Sequence, residues 1–370
     1  LRHVYISVIN DLVTDQRVHR VVELLQDQGL EVTCVGRKLK RSPDLEGVSF
    51  RHRRFRMLFT RGALFYACYN IRLFIYLFLA PKPVLIIAND LDTLPAARLA
   101  SRIRKVKLIY DSHELFTQVP ELINRKLVQG VWKWIEYRIV PRLDHAVTVS
   151  YSIAEIYRRL YKTKFRVVRN VPRRREPCPD NQVKRDYSGK KLIIYQGALN
   201  VGRGLELMIE TMAYLDDAVF LMAGAGDIEN QLKALVKERG LGERVVFMGR
   251  LVPGKLYPIT CAADLGVSLE EDRGLNYRYA LPNKLFDYIQ ARVPVLCTDL
   301  PEISRIVRAY GVGVATGERD PQKLAGIIRY MLREGSEGAW KGGLDRAAAE
   351  LCWENESREY LTLFAECGIV

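Results

Sequence analysis

Short runs of apolar, β-branched residues recur along the chain with helix-length stretches between them, and no other feature constrains its fold as tightly. Runs that stay apolar at successive positions are buried on both faces, which is the pattern of a parallel sheet covered by helices. In the first half the pattern predicts strands at 4–9, 31–36, 48–55, 84–90, 106–112, 145–150 and 165–170. A second series follows at 191–197, 218–226, 244–249, 265–270, 293–299 and 311–316. Between the two, Pro172 to Gly189 is polar, rich in proline and charge, and without apolar periodicity, so it reads as an interdomain linker. The expected fold class is α/β: two doubly wound, Rossmann-like parallel-sheet domains facing across a cleft, with ligands at the carboxyl ends of the strands.

At 370 residues the chain can bury sizeable cores without disulfides or a structural metal. Its seven cysteines are odd in number, scattered and without C-x-x-C spacing, which predicts a reduced, cytoplasmic protein. No basic leader with a cleavage site opens the sequence, so secretion is not expected. The formal charge of +14 is uneven. Residues 1–172 hold 30 Lys and Arg against 15 Asp and Glu, a balance of +15, while the remainder balances at −1. The first half should therefore meet something anionic: nucleic acid, a membrane surface or a phosphorylated substrate. Nucleic acid fits least, because no recognition module with interleaved basic and aromatic residues is present.

Leu64 to Ala80 is almost uninterrupted apolar sequence with six aromatics, broken only by Asn70 and Arg72. As a helix its 17 residues would rise about 25 Å, short of a hydrocarbon core of about 30 Å, and Arg72 would lie near mid-bilayer. A membrane span is not expected. Nine basic residues precede it: Arg37, Lys38, Lys40, Arg41, Arg51, Arg53, Arg54, Arg56 and Arg61. Two readings stay open here, a core helix beside a solvated basic loop, or an interfacial element peripheral on the inner face of an anionic membrane.

Three apparent motifs lead nowhere. Gly197 to Gly204 has P-loop glycine spacing, but Arg203 and Gly204 stand where a lysine and a hydroxyl are required. Asp90-Leu91-Asp92 resembles a metal-binding D-x-D without a third carboxylate nearby, so no metal is expected there. Gly224-Ala225-Gly226 lacks the last glycine of the dinucleotide fingerprint. What survives is a phosphate site: strand 191–197, the glycine loop 197–204 and a helix from about Leu205 present free N–H groups and Arg203 to an anion. A second helix start at Pro282 puts Asn283, Lys284 and Asp287 on one face, suited to a pyrophosphate and a ribose, or simply to a Lys284–Asp287 ion pair.

Together these segments resemble the retaining, nucleotide-sugar-dependent glycosyltransferases of family 4, with the two-domain GT-B fold. The resemblance runs from Asn10-Asp11 and Asp15-Gln16-Arg17 through Tyr110 to Leu115, Tyr195-Gln196-Gly197 and Pro282 to Tyr288, to Cys352-Trp353-Glu354. It implies an acceptor-binding domain at 1–172, a nucleotide-sugar domain at 173–350 and a last helix, 351–370, that crosses back onto the first domain. It implies His113 beside the transferred sugar and Arg203 and Lys284 on the leaving diphosphate as catalytic residues. Gly202, Gly249, Arg250, Asn283 and Asp287 would bind the nucleotide, and Asn10, Asp15 and Arg17 would lie on the acceptor side. Two positions depart from the family pattern. Ala198 replaces one of its two basic residues, and Tyr279 replaces the first glutamate of its E-x7-E pair, so Glu270, Glu271 or Asn276 are candidates for the donor-sugar contacts.

The function the resemblance implies is hexosyl transfer with retention, without metal or cofactor, to a glycan or lipid-linked acceptor in polysaccharide or lipid-linked glycan synthesis. A nucleotide-sugar epimerase of the same architecture and a basic nucleic-acid-binding protein are the alternatives; an epimerase would need acid and base carboxylates in its cleft, and nucleic acid is not an expected partner.

Overall fold

The computed structural model describes residues 2–12, 15–39, 42, 48–123 and 125–370. The chain forms two compact units, one of residues up to Asn170 together with Glu356–Val370, the other Val171–Asn355. Lys40 and Arg41 of the basic run lie outside the described residues.

Unit 1 contains β1 (His3–Ser7), β2 (Glu31–Arg37), β3 (Arg51–Phe55), β4 (Leu85–Asn89), β5 (Lys107–Ser112), β6 (His145–Thr148) and β7 (Arg166–Val167). Its helices are α1 (Gln16–Asp27), α2 (Gly62–Leu79), α3 (Leu94–Arg104), α4 (Pro120–Ile123), α5 (Lys126–Ile139) and α6 (Tyr151–Tyr161). The sheet is parallel in the order β3-β2-β1-β4-β5-β6-β7. The chain thus winds outward from β1 in one direction, returns and winds out in the other, leaving a crevice between β1 and β4 at the carboxyl ends of the strands.

Unit 2 repeats the plan with β8 (Lys191–Gln196), β9 (Ala218–Ala223), β10 (Val245–Gly249), β11 (Leu265–Ser268), β12 (Val295–Thr298) and β13 (Gly313–Thr316), in the order β10-β9-β8-β11-β12-β13. The helices are α7 (Asn181–Asp186), α8 (Leu205–Met212), α9 (Glu229–Glu238), α10 (Pro253–Ala262), α11 (Leu275–Arg278), α12 (Asn283–Gln290), α13 (Pro301–Tyr310), α14 (Pro321–Ser336) and α15 (Lys341–Glu350). The core is the apolar interior of the sheet packed under α8, α9 and α14, including Ile193, Phe220, Met222, Met208 and Ile328, all fully buried. Each such side chain stabilises the fold by about 1.5–3 kcal/mol of burial. The last helix, α16 (Trp353–Glu366), begins in unit 2 and places Tyr360, Leu363 and Phe364 in the core of unit 1.

The fold class is the one expected, and a strand overlaps each of the thirteen predicted runs, β1 starting one residue early at His3 and β2 running one further to Arg37. The other strands are shorter than their runs. The run 218–226 stops at Ala223, because a Cβ at Gly224 would lie 1.8 Å from the Gly197 carbonyl oxygen and the chain there becomes loop. The stretch Pro172 to Gly189, read as a linker, contains the short helix α7. Asp180 caps α7, accepting from Gln182 N–H at 2.8 Å and Val183 N–H at 3.1 Å, and the segment from Val171 belongs to unit 2. Likewise 351–355 stay with unit 2, and the part that returns to unit 1 starts at Glu356.

Candidate active site

In unit 2, β8 ends at Gln196 and the chain turns through Gly197, Gly202 and Gly204, with φ of 138°, 81° and 70°. A Cβ at Gly204 would stand 2.2 Å from the Leu269 carbonyl oxygen, so the loop presses backbone to backbone on the segment leaving β11. Glu271 N–H donates to the Gly202 carbonyl at 2.9 Å, and Gly224 N–H to that of Gly249 at 2.8 Å. These contacts gather the carboxyl ends of β8, β9, β10 and β11, on either side of the point where strand order reverses.

Arg203 leaves this loop and α12 brings Lys284 toward it. Lys284 Nζ donates to Glu270 Oε1 at 2.7 Å and lies 4.0 Å from the Tyr195 ring centroid, and both charged side chains are almost fully buried. Arg203 Nη1 is 3.8 Å from the same Glu270 oxygen, its guanidinium 5.4 Å from the Tyr277 ring centroid. Its Nε is buried without a hydrogen-bond partner among the described residues. Ser268 donates to Glu270 Oε2 at 2.7 Å, and Arg319 donates to the carbonyls of Leu269 and Glu270, both at 3.0 Å, and to Thr298 Oγ1 at 2.8 Å. Burial favours protonation of Glu270, but Lys284 outweighs it and the carboxyl is held below its ordinary pKa. The result is two cations around one carboxylate beside the N-terminus of α8, a locally positive site with donors of Arg203 to spare.

Several expected roles shift. Glu270, a candidate for the donor sugar, is also the buried counter-ion of Lys284. Glu271 pairs with Arg273 Nε at 3.2 Å, and Asn276 lies in α11 on the same segment. Lys284 does not pair with Asp287. Asp287 Oδ2 accepts from Gln196 Nε2 at 2.7 Å, while Asn283 at the start of α12 is exposed, so the three side chains do not share one environment. Gly202 is buried in the loop, Gly249 closes β10 with φ 65°, and Arg250 after it is exposed.

Unit 1 carries a second cluster at its own reversal point. Asp111 at the end of β5 is clamped by Arg17 of α1, with Nε to Oδ2 at 3.0 Å and Nη2 to Oδ1 at 2.8 Å. Arg17 also donates to the Val168 carbonyl at 3.0 Å and Tyr360 Oη at 3.1 Å, and the Tyr360 hydroxyl donates to Asp111. Arg17, expected on the acceptor side, is 2% exposed, and its three nitrogens bond Asp111, the Val168 carbonyl and Tyr360 inside unit 1. Asp15 caps α1, accepting from Val18 N–H at 3.1 Å, and Asn10 is exposed after β1, its carbonyl accepting from Arg37 N–H at 3.4 Å.

His113 follows β5 and is 22% exposed. Its Nδ1 is 3.5 Å from Asp90 Oδ2 and its Nε2 is 3.4 Å from Asp111 Oδ2. Asp90 has φ 57°, a left-handed conformation that an aspartate tolerates, and accepts from His113 N–H at 2.9 Å. Burial opposes a charged imidazole, but Asp90 and Asp111 more than offset it and raise His113 to about 9. On Asp111 the balance runs the other way: burial would raise its pKa, yet Arg17 and His113 hold it well below the ordinary range. His113 is therefore a cation at neutral pH. Sequence reading missed Tyr360 and Arg319, because neither lies in a local pattern and their partners are far away in the chain.

Residues 14–172 match the family described as Glycosyl transferase 4-like domain, and residues 179–339 match Glycosyl transferases group 1. The chain is a glycosyltransferase of the two-domain GT-B type. No curated protein sequence matches it. Among solved structures, sucrose-phosphate synthase from Thermosynechococcus elongatus is similar with a TM-score of 0.80 at 17% identity, covering 99% of both chains. HepE of Anabaena, in complex with UDP and glucose, has a TM-score of 0.76 at 14% identity over 99% of this chain and 100% of that one. WaaG, a glycosyltransferase involved in lipopolysaccharide biosynthesis, has a TM-score of 0.68 at 14% identity over 96% of this chain and 98% of its own. At such identities these likenesses speak to the fold of the glycosyltransferase. Its chemistry has to come from its own residues.

Proposed function

We propose that this glycosyltransferase takes a hexose from a nucleoside diphosphate sugar and passes it, with retention at the anomeric carbon, to a hydroxyl of a glycan or lipid-linked acceptor. One observation carries the reading: Arg203 and buried Lys284 converge on a single carboxylate beside the glycine loop, and Arg203 Nε has no hydrogen-bond partner among the described residues. A diphosphate completes that arrangement. Its oxygens take the spare guanidinium N–H groups, Lys284 lends its charge, and Asn283 and Asp287 on α12 serve the rest of the nucleotide along with Gly202, Gly249 and Arg250. HepE, crystallised with UDP and with UDP-glucose, makes uridine diphosphate the first nucleotide to try.

In the reaction the acceptor oxygen attacks the anomeric carbon and the bond to the diphosphate oxygen breaks on the same face. The acceptor proton passes to the departing phosphate, so no enzymic carboxylate has to act as base. Negative charge grows on the diphosphate as the bond breaks, and fixed positive groups stabilise it most at that point. Arg203, Lys284 and the N-terminus of α8 supply that charge without a metal or other cofactor. Unit 1 receives the acceptor, its excess of basic residues suiting an anionic glycan or a lipid-linked diphosphate in the cytoplasm.

The test is turnover of UDP-glucose and other nucleotide sugars, with the anomeric configuration of the first-formed product read by NMR in the presence of a chelator. Retention and full rate are expected. Arg203→Ala should lower kcat about 100- to 1,000-fold, the usual cost of losing one donor to a developing anion. An inverted product, an epimerised donor, a rate restored only by added divalent metal, or an unaffected Arg203→Ala enzyme would contradict the corresponding part of the proposal.

A further inference from the structure

The connections β3 to β4, β4 to β5 and β5 to β6 step the same way across the sheet of unit 1, so right-handed crossovers put α2, α3 and α5 on one face. The step from β1 to β2 runs the other way and puts α1 on the opposite face. The three helices touch: the rings of Tyr66 in α2 and Trp132 in α5 are 5.2 Å apart, and Arg104 of α3 donates to the Leu77 carbonyl of α2 at 2.6 Å.

α2 buries Phe65, Tyr69, Leu73 and Leu77, and the Tyr69 hydroxyl donates to the Val8 carbonyl beneath it at 2.8 Å. That stripe fixes the helix to the sheet, so its length and mean hydropathy of 1.5 do not make it a membrane span. Its outer side should then be polar, as on most surface helices. It is not: Leu64, Ile71, Ile75 and Phe78 are 45–61% exposed there, along a line of about 21 Å. α3 adds exposed Leu99 and Ile103, and α5 adds Leu127, Val131 and Trp134.

The charges on these helices are as one-sided. α2, α3 and α5 carry seven Lys and Arg and a single acid, Glu136. Glu136 is buried and accepts from the hydroxyls of Tyr157 at 3.2 Å and Tyr161 at 2.7 Å. Every exposed charged residue on the three helices is basic: Arg72, Arg102, Lys126, Lys133 and Arg138.

We infer that this three-helix face docks on an anionic lipid bilayer, with Ile71, Ile75, Phe78 and Trp134 in the boundary between headgroups and acyl chains and the basic side chains on lipid phosphates. A second copy of the chain fits poorly, since it would set basic groups against basic groups. A bilayer surface offers hydrocarbon and negative charge together. The inference does not depend on the donor or on the reaction.

Vesicle flotation of the full chain tests it, with phosphatidylcholine vesicles containing phosphatidylglycerol against phosphatidylcholine alone. The protein should float with the anionic vesicles at low salt and leave them at high salt. Trp134 emission should shift to the blue on binding, and the shift should be lost in Trp134→Phe. Each basic residue at the surface contributes about 1 kcal/mol, or roughly fivefold, so Lys133→Glu with Arg138→Glu should lower partitioning at least tenfold. Ile71→Ser with Ile75→Ser should weaken binding while sugar transfer to a soluble acceptor and the thermal midpoint stay unchanged. No flotation with the anionic vesicles at low salt overturns the inference, as does equal binding to both vesicle types. A concentration-dependent dimer in ultracentrifugation, broken by the same serine pair, overturns it by assigning the face to a second copy.

Discussion

Glu270 holds two cations that would otherwise repel each other, and its removal shows how the site is kept in place. Glu270→Ala leaves Lys284 buried without its counter-ion, which should destabilise unit 2 by about 3–5 kcal/mol. Pairing the change with Lys284→Met should recover much of that loss in urea unfolding while nucleotide binding stays impaired. Equal destabilisation by the single and double variants would mean the pair is not energetically linked. His113 makes a separate statement about pH. Its folded pKa, about 9, exceeds the ordinary 6.5, so its contribution is complete below about pH 6.5 and disappears as pH rises through 9. A shift of that size corresponds to about 3 kcal/mol, and His113→Gln should flatten the fall in unit 1 stability across this window. The places of Arg203 and Lys284 at the starts of α8 and α12 were legible in the sequence because a glycine loop and a helix-starting proline mark where those helices begin. Tyr360 was not: it meets Arg17 and Asp111 from 343 and 249 residues away.

At the scale of elements, strands were easy to read and their carboxyl ends were not. A buried parallel strand needs a run of apolar residues, and that requirement is local. Where such a strand stops depends on what the next loop packs against, as at Gly224 over Gly197. The face of α12 shows the same limit: spacing places Asn283, Lys284 and Asp287 within one turn, but their partners, Glu270 and Gln196, come from β11 and β8 ends that the helix sequence does not reveal. Gly204 tests how firmly the loop is fixed. Its φ of 70° and the 2.2 Å approach to the Leu269 carbonyl leave no room for a methyl group. Gly204→Ala should therefore cost at least about 1 kcal/mol of unit 2 stability and displace Arg203, lowering nucleotide affinity more than it lowers the thermal midpoint. Calorimetry beside a melting curve decides it; an unchanged affinity would mean that Arg203 is positioned by something other than this turn.

The whole molecule joins two sheets of one topology with different electrostatics. In unit 2 Arg203 and Lys284 meet at one carboxylate, whereas the exposed charges on α2, α3 and α5 of unit 1 are basic. The proposed reaction assigns the diphosphate to unit 2 and an anionic acceptor to unit 1. The linear order of charge, +15 in the first 172 residues and −1 in the rest, already marked the asymmetry, but only the folded chain separates the buried Arg17 from the exposed arginines of α2, α3 and α5. The central claim is that unit 2 is built to hold a nucleoside diphosphate, and calorimetric titration of the full chain with UDP, GDP and ADP tests it most directly. At least one should bind, and Arg203→Ala should weaken that binding by about 1.5–3 kcal/mol, the worth of a hydrogen bond to a charged group. Failure of all three to bind, or equal affinity for the wild-type and Arg203→Ala chains, would contradict it.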